Sequence, residues 1–341
     1  MRIFSKDIKL TNEKIDSANY ISIIIHNNPD GDAVGAAVAM YKYLTNYRKK
    51  KVSIVLPNHP SQSISFVLPE DYTIAETDFK KAHEILIKTD LLLVLDMNLL
   101  NRAGENIEKI FESENKLPYS TILIDHHVKP ERFDVMFSYP ESSSTCEIVY
   151  NVLTRLTGYK VFDKEISTAL YLGIITDTGS LSYSCNDPAL YVTISYLLKS
   201  GIIANKINQK IFNTYSHNRL NLLGYSISRK MMYFPKQRAA FIYLSKEELN
   251  RFKYVAGDLE GVVNYPLKMA DVDFSALLSE QDNKIRMSFR SKDESVDVNR
   301  FARAFWNGGG HIMASGGKSF LPLDEVVKQL KKQILSEKFR L

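Results

Sequence analysis

Cysteine is almost missing from this sequence. Only Cys146 and Cys185 occur in 341 residues, and they form no Cys-x-x-Cys pair. That excludes a disulfide framework, argues against a zinc knuckle and fits a reducing compartment. Long apolar runs are missing too: stretches such as Leu91–Leu95 are far too short to span a bilayer. The opening MRIFSKDIKLTNEK has no apolar stretch and no small-residue cleavage site, so no secretory leader is expected. A cytoplasmic protein without a membrane partner follows as the expectation. A large charge excess is also lacking. Lys+Arg number 44 against Asp+Glu 39, a net charge of +5, which is too little for a protein that coats duplex nucleic acid. From residue 231 onward 18 Lys/Arg face 14 Asp/Glu, and that mildly basic half suits a small anionic ligand. No internal repeat and no low-complexity segment is present.

What is there reads as two α/β lobes, and the length is comfortable for two. Residues 20–25, 52–56, 91–95 and 121–124 are short apolar runs that predict buried strands. Between and after them, residues 33–47, 147–156 and 165–175 carry apolar positions at helical spacing. Strands alternating with helices predict a mostly parallel sheet covered on both faces. Ile203, Ile207 and Ile211, then Leu220, Leu223 and Ile227, predict a helical connector with a break near residues 215–218. Beyond Pro235, residues 239–244, 274–278 and 284–289 predict strands, and 297–305 and 323–335 helices. The expected division is a domain at 1–200, a connector at 201–232 and a smaller domain at 233–341.

The chemistry gathers at strand ends. His26-Asn-Asn-Pro-Asp30-Gly-Asp32 follows the first strand directly, and Gly31 permits a sharp turn there. Asp96 ends the third strand, Asp125 ends the fourth, and His126 and His127 come next. Asp177 lies in Gly-Ile-Ile-Thr-Asp-Thr-Gly at the end of a predicted helix. Open parallel sheets bind ligands beyond the carboxyl ends of their strands. Singly, each residue has a plain reading: Asp30 suits a turn and Asp125 a helix N-cap. Together, so many carboxylates at one sheet edge repel unless cations neutralise them. Carboxylate and imidazole donors without thiolate suit Mn²⁺, Fe²⁺ or Co²⁺, with Mg²⁺ also possible. Two such ions about 3.5–4 Å apart would clamp a phosphoryl transfer.

These motifs resemble the DHH phosphoesterase superfamily, whose name is the Asp125-His126-His127 triplet. The resemblance implies that His26, Asp30 and Asp96 hold one metal, and that Asp32, Asp96, His126 and Asp177 hold a second. His127 would then meet the substrate phosphate and Asp125 would orient its neighbour, these two being the expected catalytic pair. In the second lobe, Gly308-Gly309-Gly310-His311 followed by Ala314-Ser315-Gly316 resembles the associated DHHA1 domain. Glycines let a backbone approach an anion closely. With Arg290 and Asn299, and Arg300 more weakly, that loop is the expected substrate grip. Ser142 to Thr145 suits either an anion at a helix N-terminus or simple capping, and Trp306 either core or a base pocket.

The length and lobe order are similar to the bacterial nanoRNase and pAp-phosphatase group. That implies two divalent metal ions, Mn²⁺ foremost. It also implies hydrolysis of short single-stranded oligoribonucleotides, of linear dinucleotides such as pApA, or of 3′-phosphoadenosine 5′-phosphate, by metal-activated water attack on phosphorus. A homodimer is compatible with it. The alternatives are a phosphohydrolase of pyrophosphate or polyphosphate, and a non-catalytic module that binds a cyclic dinucleotide.

Overall fold

An apolar run bounded by Ala-Asn on one side and Asn-Pro-Asp-Gly on the other has little choice but to become a buried strand. In the computed structural model, which describes residues 3–113, 120–281 and 283–340, it forms β1 (Tyr20–Ile25). Five more strands join it: β2 (Lys51–Leu56), β3 (Thr73–Ile74), β4 (Leu91–Leu95), β5 (Ser120–Asp125) and β6 (Val135–Ser138). The order is β3-β2-β1-β4-β5-β6, and every neighbouring pair is parallel. Successive side chains leave a strand on opposite faces. Ile21, Ile23 and Ile25 accordingly pack with Leu91, Leu93 and Leu95 in one core. Ile24, Leu92 and Val94 pack in another on the opposite face. Helices Gly31–Lys42, Thr145–Thr157 and Lys164–Asp177 supply the first core, and helices Phe79–Leu86 and Glu105–Ser113 the second. Burying each such aliphatic side chain stabilises the fold by about 1.5–3 kcal/mol.

This strand order turns around between β1 and β4. Each is central, yet the chain leaves β1 toward one edge of the sheet and β4 toward the other. Such a switch point opens a crevice at the strands' carboxyl ends, and His26 and Asp96 are the first residues past those two strands.

Two helices meet on the first face with almost no space between them. A Cβ on Gly35 would lie 2.4 Å from the Ala169 carbonyl oxygen, and one on Gly173 would lie 2.8 Å from Asp32 Oδ1. The absence of those two side chains sets how closely Gly31–Lys42 approaches Lys164–Asp177.

The chain divides into two compact units, Met1–Thr214 and Tyr215–Leu341. The apolar stripe around residue 215 is two helices and not one. Ala204–Phe212 places Ile207 and Ile211 in the first unit's core, and His217–Arg229 places Leu222 in a core of the second. Ser216 caps the second helix by accepting the Arg219 amide, which fixes the break.

The second unit holds one mixed sheet of six strands. They are β7 (Met231–Phe234), β8 (Ala239–Leu244), β9 (Phe274–Gln281), β10 (Lys284–Ser291), β11 (Gly309–Gly310) and β12 (Ala314–Ser319), in the order β11-β12-β10-β9-β8-β7. Only β8 and β9 pair in parallel. Trp306 packs with Phe274, Phe289 and Phe301 in its core at 2% exposure, so the core reading of Trp306 is the one that holds. Among the described residues, no helix is long and apolar enough to cross a membrane.

Candidate functional site

Asp30 serves two purposes with two oxygens. Oδ1 caps helix Gly31–Lys42, accepting the amides of Asp32 and Ala33 at 3.0 Å each. Oδ2 lies 3.6 Å from His26 Nε2. Asp30, read from the sequence as a turn residue, is thus a helix cap whose second oxygen is still free of that duty and faces His26. His26 gives its Nδ1 proton to the Asn27 carbonyl at 3.0 Å, so Nε2 faces Asp30 and, at 3.3 Å, Asp96 Oδ2.

Asp96 is the hub. It is 2% exposed, and its φ of 56° is left-handed, a conformation that asparagine and aspartate tolerate best among residues other than glycine. Its amide donates to the Ile124 carbonyl of the neighbouring strand, at 3.0 Å. That turn aims the carboxylate across the switch point. Oδ1 lies 3.6 Å from His126 Nε2, whose ring also stands 3.6 Å from Asp177 Oδ2. The His126 Nδ1 proton goes to the Ser142 carbonyl at 3.4 Å. His127 gives its own Nδ1 proton to Asp125 Oδ1 at 2.7 Å, and its amide to Asp125 Oδ2 at 3.0 Å. Asp125 caps no helix. It fixes the tautomer of the ring two residues on.

Asp32 is where the reading of residues 142–145 resolves. Ser144 caps helix Thr145–Thr157, as simple capping requires. The same helix end also binds an anion, and the anion is a side chain of this chain. Thr145 and Cys146 donate their amides to the two oxygens of Asp32 at 2.6 and 2.8 Å, and Thr145 Oγ1 donates to Asp96 Oδ1 at 2.8 Å. Beneath them Glu147, 5% exposed, accepts from Ser142 Oγ, Ser143 N and Ser143 Oγ. Sequence reasoning missed Thr145 as a partner of Asp96. A threonine at a helix start carries no signal of that kind.

The electrostatics are those of a site short of positive charge. Burial raises the Asp32 carboxyl well above the usual range, and the charges of Asp96 and Asp177 raise it further. Burial opposes a charged His26, but Asp30 and then Asp96 outweigh it and push the imidazole up to about 10. Divalent cations relieve both conditions. Donor atoms of His26, Asp30 and Asp96 all lie within 4.8 Å of one another, and so do those of Asp32, His126 and Asp177. These oxygen and imidazole donors fit hard or borderline divalent ions.

In the second unit, Asn299 supports the glycine loop from below. Its Oδ1 accepts from Gly310 N and Arg303 Nε, both at 3.1 Å. Two of the three glycines are required by the strand they pair with. A Cβ on Gly308 would lie 1.9 Å from the Gly316 carbonyl oxygen, and Gly310, at φ 151°, would place one 2.5 Å from that of Ala314. At Gly309 an added Cβ would make only ordinary van der Waals contact, 3.6 Å from Arg303 Nε and from Asn299 Oδ1. His311 turns the chain into β12, exchanging backbone hydrogen bonds with Ala314. Arg290 stands on β10 between Ser275 and Ala314, and its Nη1 donates to the Phe289 carbonyl at 2.9 Å. Among the described residues, His59, His83 and His217 join none of the donor groups.

Residues 20–174 match the model of the DHH family, N-terminal domain, and residues 239–336 match that of the DHHA1 domain. The crystal structure of an exopolyphosphatase-related protein from Bacteroides fragilis is 34% identical with a TM-score of 0.91, and the match covers 99% of this chain and 97% of that one. The probable bifunctional oligoribonuclease and PAP phosphatase NrnA of Streptococcus mutans is 27% identical over 322 residues, 93% of this chain and 96% of that protein. The bifunctional oligoribonuclease and PAP phosphatase NrnA of Bacillus subtilis is 25% identical over 311 residues, covering 88% and 90%.

Proposed function

The chain belongs to the DHH–DHHA1 family of hydrolases, and on that premise we propose that it is a two-metal phosphoesterase of small nucleotides, acting on short oligoribonucleotides, pApA and 3′-phosphoadenosine 5′-phosphate. The observation that carries this reading is the pooling of two donor groups around Asp96 at the switch point. His26, Asp30 and Asp96 would hold one divalent ion. Asp32, Asp96, His126 and Asp177 would hold the other, with Mn²⁺ the expected metal. Bound there, such ions polarise a phosphoryl oxygen and make a water nucleophilic at neutral pH.

The remaining steps fall to the chain's own residues. The Nδ1 bonds to Asn27 and Ser142 orient the rings of His26 and His126 so that Nε2 is the coordinating atom. The amides of Thr145 and Cys146 hold the Asp32 carboxyl group in place. Asp125 orients His127 toward the substrate phosphate. Arg290, Asn299, Gly308, Gly309, Gly310 and His311 would bind the rest of the nucleotide. The names of the Streptococcus and Bacillus relatives support nucleotide substrates.

A panel of 3′-phosphoadenosine 5′-phosphate, pApA, short RNAs, pyrophosphate and polyphosphate, assayed with Mn²⁺ and Mg²⁺, tests the assignment. The nucleotides are expected to turn over fastest, and a chelator to abolish all turnover. Mn²⁺ at a hundred times its Kd should stabilise the chain by about 2.7 kcal/mol, read as a rise in Tm. No hydrolysis of any compound, with no Tm response to Mn²⁺, sinks the proposal. The printed name of the Bacteroides structure favours a second reading, polyphosphate hydrolysis, and polyphosphate as the fastest substrate would establish it.

Gly309 offers a cleaner probe of the second unit than its neighbours. Gly309→Ala has room for its methyl group, so Tm should hold within about 2 °C, the shift of a near-neutral change. If the Gly309 backbone meets a phosphate, the methyl group obstructs that approach and KM for the nucleotide should rise about 10-fold. An unchanged KM removes Gly309 from the binding surface.

A further inference from the structure

Past β4 the chain passes through Asp96 and Asn98 into a short 3₁₀ turn, Leu100–Ala103, which carries Arg102. This segment is fastened on both sides. The Arg102 carbonyl accepts the amide of Asn27, the residue after His26, at 2.7 Å. Gly104, at φ 87°, lets the chain pass against the same asparagine, where an added Cβ would stand 3.3 Å away. On the other side Asn98 Nδ2 donates to the carbonyl of Val128, the residue after His127, at 2.7 Å, and the Asn98 carbonyl accepts the Glu131 amide at 2.9 Å. The Glu131 carboxylate takes the Leu100 amide. Arg102 Nη1 donates to Asn98 Oδ1 at 3.3 Å. The segment that carries the half-buried guanidinium is thus moored between the loops that present His26 and His127, and the guanidinium itself is held by Asn98.

Its charge has no counterpart. Arg48 and Arg238 are neutralised by Asp16 and Asp273, whereas among the described residues the one side-chain partner of Arg102 is a neutral amide oxygen. A partly desolvated guanidinium beside a metal-binding edge, with its planar fork uncommitted to any carboxylate, has the chemistry of an oxyanion receptor.

We propose that Arg102 is a phosphate-binding residue of this site, its guanidinium taking oxygens of the substrate phosphate that the metal-side residues engage. The proposal rests on the phosphoesterase reading and adds to it a cation from the first unit. Inorganic phosphate is the probe, titrated calorimetrically into the full chain in Mn²⁺. Loss of one charge-assisted contact should weaken phosphate binding about 10- to 100-fold in Arg102→Gln. Arg102→Lys should recover part of the loss, and Mn²⁺ affinity should change less than threefold in both. On the wild-type chain, phosphate should shield Arg102 from phenylglyoxal, read by mass spectrometry, which keeps the proposal testable if the variants misfold. Unaltered phosphate affinity in Arg102→Gln, or no shielding in the wild type, overturns the role of Arg102. So does a wild type that hydrolyses esters yet binds no phosphate. A wild type that neither hydrolyses esters nor binds phosphate overturns the phosphoesterase reading itself.

Discussion

Asp96→Asn is expected to lower kcat/KM by about a thousand-fold, with the fold intact. On the proposed reading this carboxylate is shared between two cation sites, and its loss should remove several kcal/mol of transition-state stabilisation, each 1.36 kcal/mol being a factor of ten. Asparagine is the informative replacement because Asp96 sits at φ 56°. Alanine in that left-handed conformation costs about 1–2 kcal/mol, and its loss of activity would mix strain with chemistry. Asparagine tolerates the backbone, and its amide oxygen can still accept from Thr145 Oγ1, as Asp96 does at 2.8 Å. It also removes one charge from a cluster in which Asp96 and Asp177 both push against ionisation of Asp32. The metal-free Tm should therefore stay near that of the wild type, while the Tm rise with Mn²⁺ disappears. Steady-state kinetics beside thermal melts with and without Mn²⁺ measure both. Wild-type turnover in Asp96→Asn would remove Asp96 from the chemistry altogether.

Gly35→Ala should lower Tm by about 5–10 °C, although alanine is the better helix former. Propensity favours the change by about 1 kcal/mol. Against it stands a methyl group placed 2.4 Å from the Ala169 carbonyl oxygen and 2.9 Å from Cys146 Sγ. The carbonyl belongs to a helix and cannot move alone, so the two helices must part. Overpacking of this kind costs about 1–3 kcal/mol and sometimes more, and backbone-to-backbone contact puts it at the upper end or beyond. For a unit of this size each kcal/mol is about 2–4 °C. Asp32 and Asp177 ride on the separating helices, so Mn²⁺ affinity should fall as well. Gly224 is the control. It lies inside helix His217–Arg229 with nothing within 4 Å of an added Cβ, so Gly224→Ala should raise Tm slightly, through about 0.4–1 kcal/mol. If both variants shift Tm the same way, the close-contact argument is wrong.

The sequence was most legible where one residue type settled the local choice. β1 and β4 begin and end at the expected residues because unbroken apolar runs meet polar turns. The parallel first sheet and the α/β character of the second unit follow from the same patterning. Elements that depend on tertiary support were invisible. β6 is a four-residue edge strand with half of its positions only partly buried, and β3 is two residues long. Helix Ser5–Ser17 is polar along most of its length, with only Thr11 and Ile15 buried. The acidic and imidazole residues of the site stand out because their letters announce their chemistry. The donors that hold Asp32 are backbone amides, which no letter encodes. Arg102 is one of 44 Lys and Arg residues, and only the fold ties it, through Asn98, to the loop that follows His127. The glycine loop was legible as a motif but not in its mechanics. Gly308 and Gly310 owe their identity to the β12 backbone, whereas Gly309 could take a Cβ at ordinary contact distance.

The position of β1 also has a consequence for how the chain is made. β1 leaves the ribosome before both of its partners, for Ile21 pairs with Val52 on one side and with Leu91 on the other. Asp32 then waits for the amides of Thr145 and Cys146, and His126 for Asp177. Pairings this distant in sequence form late. A nascent chain therefore carries Asp32 through the synthesis of more than a hundred further residues without the groups that hold it in place. On the proposed two-metal reading, selective capture of the ions would wait until the helix ending at Asp177 has emerged, late in the folding of this unit.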